Sequence, residues 1–311
     1  MSAELDFVAR NTRVTRLDTA FRWPGGRHVA VILNLAYEAW SDGKAPGVGP
    51  MGNPLPAGAF DTNALSWGHY GVARGIDRLL RNLGRHKARA SVMTSGVLAE
   101  RTPAVLERMV EEGHEIVAHA WAQDVIPATL TLEQAKADID KTTQAIESVS
   151  GKRPVGWISP RGTPSRDGSR LLIEAGYLWQ GDVFDDERPY VQTCENGRIV
   201  AIPLTMEIND LPHAMRFGRS PRDYVTMFDD LLANVLASED QAVVIDVTAH
   251  CHVFGRPSGA WAYEAIVKTV TERDDVYVAT RAEIADHVLT SAGQGTAGRA
   301  PACCGGQARA S

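Results

Sequence analysis

Residues 242–257 read AVVIDVTAHCHVFGRP, and we predict that the fold is organised around this stretch. Residues 242–247 are apolar and rich in β-branched side chains, which is typical of a strand buried on both faces. His250 and His252 follow at once, and a Gly-Arg-Pro sequence then prevents further helix or strand. Loops that leave buried strands carry the chemistry of α/β enzymes, so both histidines are candidate functional residues. The alternative is that one histidine satisfies local backbone groups while the other faces solvent.

The composition is that of an ordinary globular protein, with 311 residues of which 44% are hydrophobic and 23% charged. The 38 acidic and 32 basic residues give a net charge of −6, which argues against a nucleic-acid-binding surface. No apolar run is long enough to span a membrane, and the charged N-terminus lacks the apolar core of a signal peptide. We therefore expect a cytoplasmic protein with a small-molecule substrate, and neither nucleic acid nor membrane as a partner.

The cysteines show no spacing typical of a disulfide framework or a zinc finger. Cys194 and Cys251 are isolated in sequence, whereas Cys303 and Cys304 are adjacent near the C-terminus. Cys251 lies between two histidines and is a candidate metal ligand, although no CxxC or HExxH pattern supports this hypothesis.

Short apolar runs alternate with longer periodic ones along most of the chain. Apolar positions at 76, 79, 80 and 83 predict a helix over 70–83, and Thr131 with Gln134 predicts a capping box that begins another helix. About seven strand-then-helix units can be counted. This alternation favours parallel strands with right-handed crossovers, in a closed or nearly closed (β/α) barrel.

The pattern divides the chain into three parts. Residues 1–22 are an N-terminal extension with no clear barrel element, and we expect it to pack across a neighbouring subunit of a homo-oligomer. Residues 23–290 form a single barrel domain. Residues 291–311 contain mainly small residues without periodicity, so we expect a disordered tail.

Polar residues cluster where the predicted strands end, which is where a barrel keeps its active site. These clusters are Asn34 to Glu38, His119 to Asp124, Ser159 to Arg161, Asp182 with Asp185 and Asp186, Glu207 to Asp210, and the His250 loop. Each cluster alone fits a helix cap or a solvated turn equally well. Together they predict a pocket.

Several of these segments resemble the polysaccharide deacetylase (NodB-homology) superfamily. The resemblance lies in EEGHEIVAHAWAQ around His119, GKRPVGWISPRGTPS around Arg161, EAGY, and AHCHVFGRP around His250, and it covers roughly residues 23–288. It implies a deformed β/α barrel that hydrolyses C–N bonds. NLAYEAW, IPLTMEINDLP and TAHCHVFGRP are most similar to the branch with the uricolytic-type allantoinase and cyclic imide hydrolases.

The sequence departs from the metal-dependent members of that family. They carry an Asp-x-Asp after the first strand and a His-x-x-x-His after the third, which supply a base and metal ligands. The matching positions here are Ala36 with Glu38, and His119 with Gln123. An amide is a poor ligand for zinc and Ala36 cannot act as a base, so the usual ligand set is incomplete.

The resemblance also suggests roles for individual residues. His250 matches the family's general acid, and His119 is placed to orient or protonate a substrate, whereas His252 has no required counterpart. Arg161 suits a carbonyl or carboxylate, or pairs structurally with Asp182 or Asp186. The predicted catalytic residues are His250, His119, Asp210 and Glu207, with Glu207 and Asp210 as the first candidates for the base and Glu38 as the next. The predicted substrate-binding residues are Glu38, Trp121, Arg161, Asn209 and Asp182. Any metal would use His119, Glu38 and His252.

Three functions remain open at this point. The first is a metal-independent hydrolase of cyclic imides or ureides, whose carbonyls are electrophilic enough for positioned acids and bases. The second is a deacetylase of an N-acetylated substrate, with a non-standard site for a divalent metal such as zinc. The third is a degenerate barrel that binds a small ligand without turnover. Histidines at two strand ends disfavour this third function, because a pure binder does not need groups that titrate near neutrality.

Overall fold

The computed structural model describes residues 12–47, 49–52, 55–56 and 58–296, which form a mixed α/β fold. The strands are β1 (Arg13–Arg16), β2 (Val29–Tyr37), β3 (Ser91–Thr94), β4 (Glu115–Ala118), β5 (Gly156–Trp157), β6 (Trp179–Gln180), β7 (Tyr190–Cys194), β8 (Gly197–Ala201), β9 (Val243–His250) and β10 (Val276–Ala279). The helices are α1 (Thr62–Tyr70), α2 (Ile76–Arg85), α3 (Val97–Arg101), α4 (Pro103–Glu111), α5 (Leu132–Ser150), α6 (Gly168–Glu174), α7 (Pro221–Ser238), α8 (Pro257–Thr271) and α9 (Arg281–Thr296).

Strand β2 pairs with three other strands, and each of its nine residues is buried. Along one edge it pairs in parallel with β9, from Val29 opposite Val243 to Ala36 opposite His250. Along its other edge it pairs in parallel with β10 near its start and with β3 near its end. The two continuous apolar runs in the sequence are therefore adjacent buried strands, as expected for parallel strands with both faces covered.

The remaining parallel strands follow β3 in the order β4, β5, β6 and β8. The segment that follows β8 approaches β9, where Asn209 forms an isolated parallel bridge with Thr248. The Asp246 amide also donates to Thr205 Oγ1 over 3.0 Å. Among the described residues, no continuous ladder closes the ring. The architecture confirms the predicted deformed (β/α) barrel.

Side-chain caps fix the start of the longer helices. Thr131 and Gln134 form the predicted capping box at the start of α5, and Gly151 ends that helix in the left-handed conformation. Ser220 and Asp223 form a second capping box at α7. The described helices include none that is long and apolar enough to cross a lipid bilayer.

The helical region around residue 70 differs from the sequence prediction. Helix α1 begins at Thr62, where the Asp61 side chain accepts a hydrogen bond from the Ala64 amide over 2.8 Å. The helix then passes through a wider π-helical turn, Gly71–Gly75, before α2. The predicted start at Tyr70 was wrong. The apolar positions used for the prediction all lie in α2, whereas the Asp61 cap starts α1 eight residues before Tyr70.

Both ends of the described chain add structure that the periodicity did not reveal. Strand β1 pairs antiparallel with β7 of the same chain, so part of the predicted N-terminal extension belongs to the sheet. Helix α9 continues to Thr296, into the predicted disordered tail. Residues 1–11 and 297–311 lie outside the described residues. The predictions of a subunit contact by the N-terminal extension and of a disordered C-terminal tail therefore remain predictions for these residues.

A buried ion pair crosses the barrel interior beneath the His250 end of β9. The Arg281 guanidinium lies 2.6 Å from Asp246 Oδ1, and both side chains are inaccessible to solvent. Asn34 of β2 contacts both partners, and Arg281 also donates to the Ile202 carbonyl. This network joins β2 and β9 to α9 and to the residue that follows β8, and it satisfies charges that would otherwise be costly to bury.

We expect Asp246→Ala to lower the free energy of unfolding by about 3–5 kcal/mol, because it leaves the Arg281 charge buried without its partner. Glu174→Ala is the matched control, since it removes one partner of the exposed Arg170–Glu174 pair and should cost about 1 kcal/mol or less. Denaturant unfolding of both variants measures the difference. Equal losses would show that the buried pair contributes no more than a surface pair.

Candidate active site

The parallel register brings the candidate site residues to one end of the barrel. Ala36 pairs with His250 across β2 and β9, and Tyr37 is linked through Thr94 of β3 to Ala118 of β4. Glu38 and His119 each lie one residue beyond these pairs. The carboxyl ends of β2, β4 and β9 therefore present an acid and several imidazoles to a common point, as the barrel rule predicts.

Three histidines contact the Glu38 carboxylate. His119 Nε2 lies 3.3 Å from Glu38 Oε1, His250 Nε2 lies 3.7 Å from the same oxygen, and His252 Nδ1 lies 3.7 Å from Oε2. All four side chains are nearly buried, with exposures of 8% for Glu38, 3% for His119, 6% for His250 and 3% for His252. The site is therefore a small, poorly hydrated cluster with one carboxylate at its centre.

Asp210 fixes the orientation of His250. This fully buried carboxylate accepts a 2.6 Å hydrogen bond from His250 Nδ1, and it also accepts from the backbone amides of His250 and Phe254. With Nδ1 committed to Asp210, Nε2 faces Glu38 and the interior of the site. An imidazole held in this way by a carboxylate is the arrangement that general acids and bases use.

A backbone carbonyl fixes His119 in a similar manner. His119 Nδ1 donates to the Ile158 carbonyl over 2.6 Å, which leaves Nε2 directed at Glu38. Ile158 directly follows β5, so the neighbouring strand determines the orientation of this imidazole.

The cluster separates the protonation states of its members. Burial opposes ionisation of Glu38, but the charges of His250 and His252 and the hydrogen bond from His119 outweigh it and lower the pKa of Glu38 to about 2. Burial likewise opposes the charged form of His250, but Glu38 and Asp210 raise its pKa to about 9. For His252, burial dominates and, with the charges of His250 and Arg256, lowers the pKa to about 4. Near neutrality the site therefore holds an anionic Glu38, a protonated His250 and a neutral His252.

Aromatic rings surround His252. Its ring meets Trp67 edge-on with a centroid distance of 4.7 Å and Trp40 with one of 5.7 Å. The loop beneath it packs against the π-helical turn, where a Cβ at Gly75 would lie 1.8 Å from the Cys251 carbonyl oxygen. Only glycine allows this approach, so the turn and the histidine loop are fitted to each other.

The structure brings some predicted site residues together and leaves others apart. Glu38, His119, His250 and Asp210 form one connected cluster. Glu207, proposed as an alternative base, is exposed in the short turn Met206–Ile208. Glu207 is therefore not one of the buried side chains that surround Glu38.

The predicted substrate-binding residues beyond Glu38 have mainly local partners. Asn209 accepts from the Leu211 amide, and Asp182 accepts from the amide and hydroxyl of Ser159, each over 2.7 Å. Trp121 is partly buried, and the Lys141 ammonium lies 3.3 Å from the centre of its ring. One face of this indole is therefore occupied by the protein itself.

Arg161 is exposed and has a left-handed backbone with φ of 61°. Asp186, one of the two structural partners considered for it, forms an ion pair with Arg16 instead. A strained backbone at a non-glycine residue is more common at functional sites than elsewhere, so a substrate role for Arg161 stays a prediction.

Sequence reasoning missed the two tryptophans that enclose His252. Trp40 follows β2 and Trp67 lies in α1, so their approach to His252 depends on how the chain between these two elements folds back. The signal that could have found them is the pair of tryptophans itself, because Trp is rare and its ring often lines small-molecule pockets.

Ala36 and Gln123 stand where metal-dependent members of the resembled family carry a base and a metal ligand, and neither side chain is available to a metal. The Gln123 amide donates to Ser95 Oγ over 3.2 Å, and the Ala36 methyl packs in the apolar barrel interior with Met93 and Val117. Across the part of the chain that the structure describes, no three His, Cys, Asp or Glu side chains are grouped so that they could hold a metal ion. The donor set therefore does not fit the three-ligand pattern of a catalytic zinc.

Comparison with known proteins shows a similarity to one family. A family model described as Polysaccharide deacetylase matches residues 60–178. The chain is 24% identical to the "Peptidoglycan deacetylase" of Helicobacter pylori over 294 residues, which cover 84% of this chain and 98% of that protein.

Solved structures share the fold. A chain described as a "probable Polysaccharide deacetylase" from Pseudomonas aeruginosa PAO1 superimposes with a TM-score of 0.76 at 26% identity, covering 86% of this chain and 93% of the other. "Puue Allantoinase" superimposes with a TM-score of 0.79 over 94% and 99% of the two chains, but at 23% identity this likeness concerns the fold alone. The chain is thus similar to the polysaccharide deacetylase (NodB-homology) superfamily, in sequence over residues 60–178 and in fold over most of its length.

Proposed function

We propose that this protein hydrolyses a ring C–N bond in a small cyclic amide, an imide or a ureide, with protein side chains as the acid and the base. The observation that carries the proposal is the Glu38 carboxylate in contact with three histidines, one of which is held by Asp210. This arrangement supplies a proton donor and a proton acceptor within a few ångströms of each other, which is the requirement of general acid–base catalysis.

His250 is suited to be the general acid. Its pKa of about 9 keeps the ring protonated at neutral pH, and Asp210 occupies Nδ1, so the proton available for transfer is on Nε2. In the reaction, this proton would pass to the ring nitrogen as the C–N bond breaks. Asp210 is thus a positioning residue for the acid, whereas the sequence alone had placed it among the candidate bases.

Glu38 is suited to be the general base. It would accept a proton from the water that attacks the carbonyl carbon, so that water contributes OH to the new carboxyl group and the leaving nitrogen takes its proton from His250. A carboxylate with a pKa of about 2 is a weak base. Weak general bases are effective when the carbonyl is already electrophilic and the leaving group is stabilised, which favours an imide or ureide over a simple acetamide.

The enclosure of the site also favours a small substrate. None of the four central side chains is more than 8% exposed, and Trp40 and Trp67 stand beside His252. Small-molecule sites are concave and largely apolar with a few convergent polar groups, whereas a polysaccharide chain needs an open groove.

Deacetylation of an N-acetylated substrate is the second candidate function. The named relative from Helicobacter pylori favours it, and so do the donor types of Glu38, His119 and His252, which would suit zinc if they moved closer together. A bound divalent ion would supply the Lewis acidity that an unactivated acetamide needs.

The pH dependence of turnover tests the assignment of His250. A raised pKa means that the acid form is present below about pH 9, so kcat/KM should stay high through neutrality and fall as the pH rises through that value. Asp210→Asn removes one of the two carboxylates that raise this pKa. The alkaline limb should move down toward the ordinary histidine value, with a loss of about tenfold or more at pH 8.

Glu207→Gln is the matched control, because it neutralises an exposed carboxylate on the same segment and should leave the profile unchanged. An alkaline limb that stays in place in Asp210→Asn, or that moves to higher pH, would contradict the role of His250 as the acid.

Chelation separates the two candidate functions. We expect turnover of a small cyclic imide to survive dialysis against a strong chelator, with elemental analysis of the same sample, because acid and base are both protein side chains. Activity that is lost and returns on adding zinc or another divalent ion would contradict the proposal and favour the deacetylase. N-acetylated sugar oligomers, tested before and after zinc addition, complete the comparison.

A further inference from the structure

The turn that follows β4 holds a strained residue next to His119. Ala120 is fully buried and has φ of 52°, in the left-handed region that non-glycine residues rarely adopt. Such a conformation costs about 1 kcal/mol or more and persists only where surrounding contacts enforce it. The residues that enforce it also determine where His119 lies.

Backbone hydrogen bonds hold one side of this turn. The Ala120 carbonyl accepts from the Gly96 amide over 2.8 Å, and the Trp121 carbonyl accepts from the Val97 amide over 2.9 Å. Both donors lie at the start of α3. These bonds leave the Trp121 amide, on the other side of the turn, in need of an acceptor.

A carboxylate on α5 provides that acceptor. Asp138 Oδ1 accepts a 3.0 Å hydrogen bond from the Trp121 amide, and one turn later Lys141 covers the Trp121 ring. Asp138 is only 9% exposed, and its Oδ2 is buried without a hydrogen-bond partner among the described residues. Burying a carboxylate with an unpaired oxygen costs free energy, so a structural role is needed to explain why Asp138 occupies this position.

We propose that Asp138 is a positioning residue that fixes His119 by holding the strained turn at Ala120. Three constraints fix His119: the hydrogen bond from its backbone amide to the Thr94 carbonyl, the hydrogen bond from Nδ1 to the Ile158 carbonyl, and the backbone conformation of the turn that follows it. Asp138 controls the last of these. Without the Asp138 carboxylate, no acceptor holds the Trp121 amide and Ala120 relaxes from the left-handed conformation. His119 Nε2 then loses its 3.3 Å contact with Glu38.

Asp182 supports the opposite side of the same histidine. It accepts from the amide and hydroxyl of Ser159, the residue after Ile158, whose carbonyl accepts from His119 Nδ1. Two buried carboxylates from different elements therefore brace His119. Of the two, only Asp138 has an oxygen left buried without a partner, which makes its removal the sharper experiment.

The test compares Asp138→Ala, which removes the acceptor, with Asp138→Asn, whose amide oxygen can still accept from Trp121. Asp140→Ala on the same helix is the control, because Asp140 is exposed. Long-range ¹H–¹⁵N spectra of histidine report the proton position and environment of the His119 ring. We expect the His119 ring signals to shift in Asp138→Ala, and to match the native protein in Asp138→Asn and Asp140→Ala.

Turnover of a small cyclic imide supplies the second readout, and this part alone rests on the proposed function. The kcat per folded molecule should fall about tenfold or more in Asp138→Ala with KM nearly unchanged, and Asn should restore most of it. If no imide is turned over by the native protein, the proposed function fails while the spectra still decide the role of Asp138.

A measurement on the Trp121 amide keeps the proposal falsifiable should Asp138→Ala fail to fold. Burial raises the pKa of Asp138 to about 6, against the lowering effects of the Trp121 amide and Lys141, so the Trp121 amide resonance should show a step near that pH that is absent in Asp138→Asn. A step that persists in Asp138→Asn, or His119 signals that do not change in a folded Asp138→Ala, would overturn the proposal.

Discussion

A buried carboxylate surrounded by imidazoles is the interaction on which the site depends. The Glu38 charge is nearly excluded from water, where an isolated anion would cost several kcal/mol, and it remains ionised because three histidines contact it. The same charge keeps His250 protonated, with help from Asp210. Acid and base therefore depend on each other, and a change at one of these residues alters the protonation of its neighbours.

The fold is what makes this cluster possible. Glu38 and His250 are more than two hundred positions apart in sequence, and the parallel pairing of β2 with β9 places them side by side. Fixed backbone groups then orient the rings: Asp210 accepts from two amides of the β9 loop, and the Ile158 carbonyl holds His119. Because the donors and acceptors are set by strands, the site is preorganised before substrate binds, which is where much of catalytic power originates.

Much of this could be predicted from the sequence, and the failures have physical causes. The buried runs at β2 and β9, the Thr131 capping box and the histidines at strand ends follow from local patterns. The central position of Glu38 does not, because it depends on strand register between distant segments. Asp210 and Glu207 were equal candidates because the short turns that carry them follow no simple period, and only the fold buries one and exposes the other. Strand β1 was missed because four residues with two arginines on a sheet edge show no hydrophobic pattern.

Titration of the His250 ring in Glu38→Gln, followed by NMR beside the native protein, tests the central claim most directly. Gln keeps the size of the side chain and removes the charge. The account predicts a midpoint near 9 in the native protein, a clearly lower midpoint in the variant, and a loss of imide turnover of about 100-fold or more. A His250 midpoint that is the same in both proteins, with turnover retained, would contradict the claim that Glu38 organises this site.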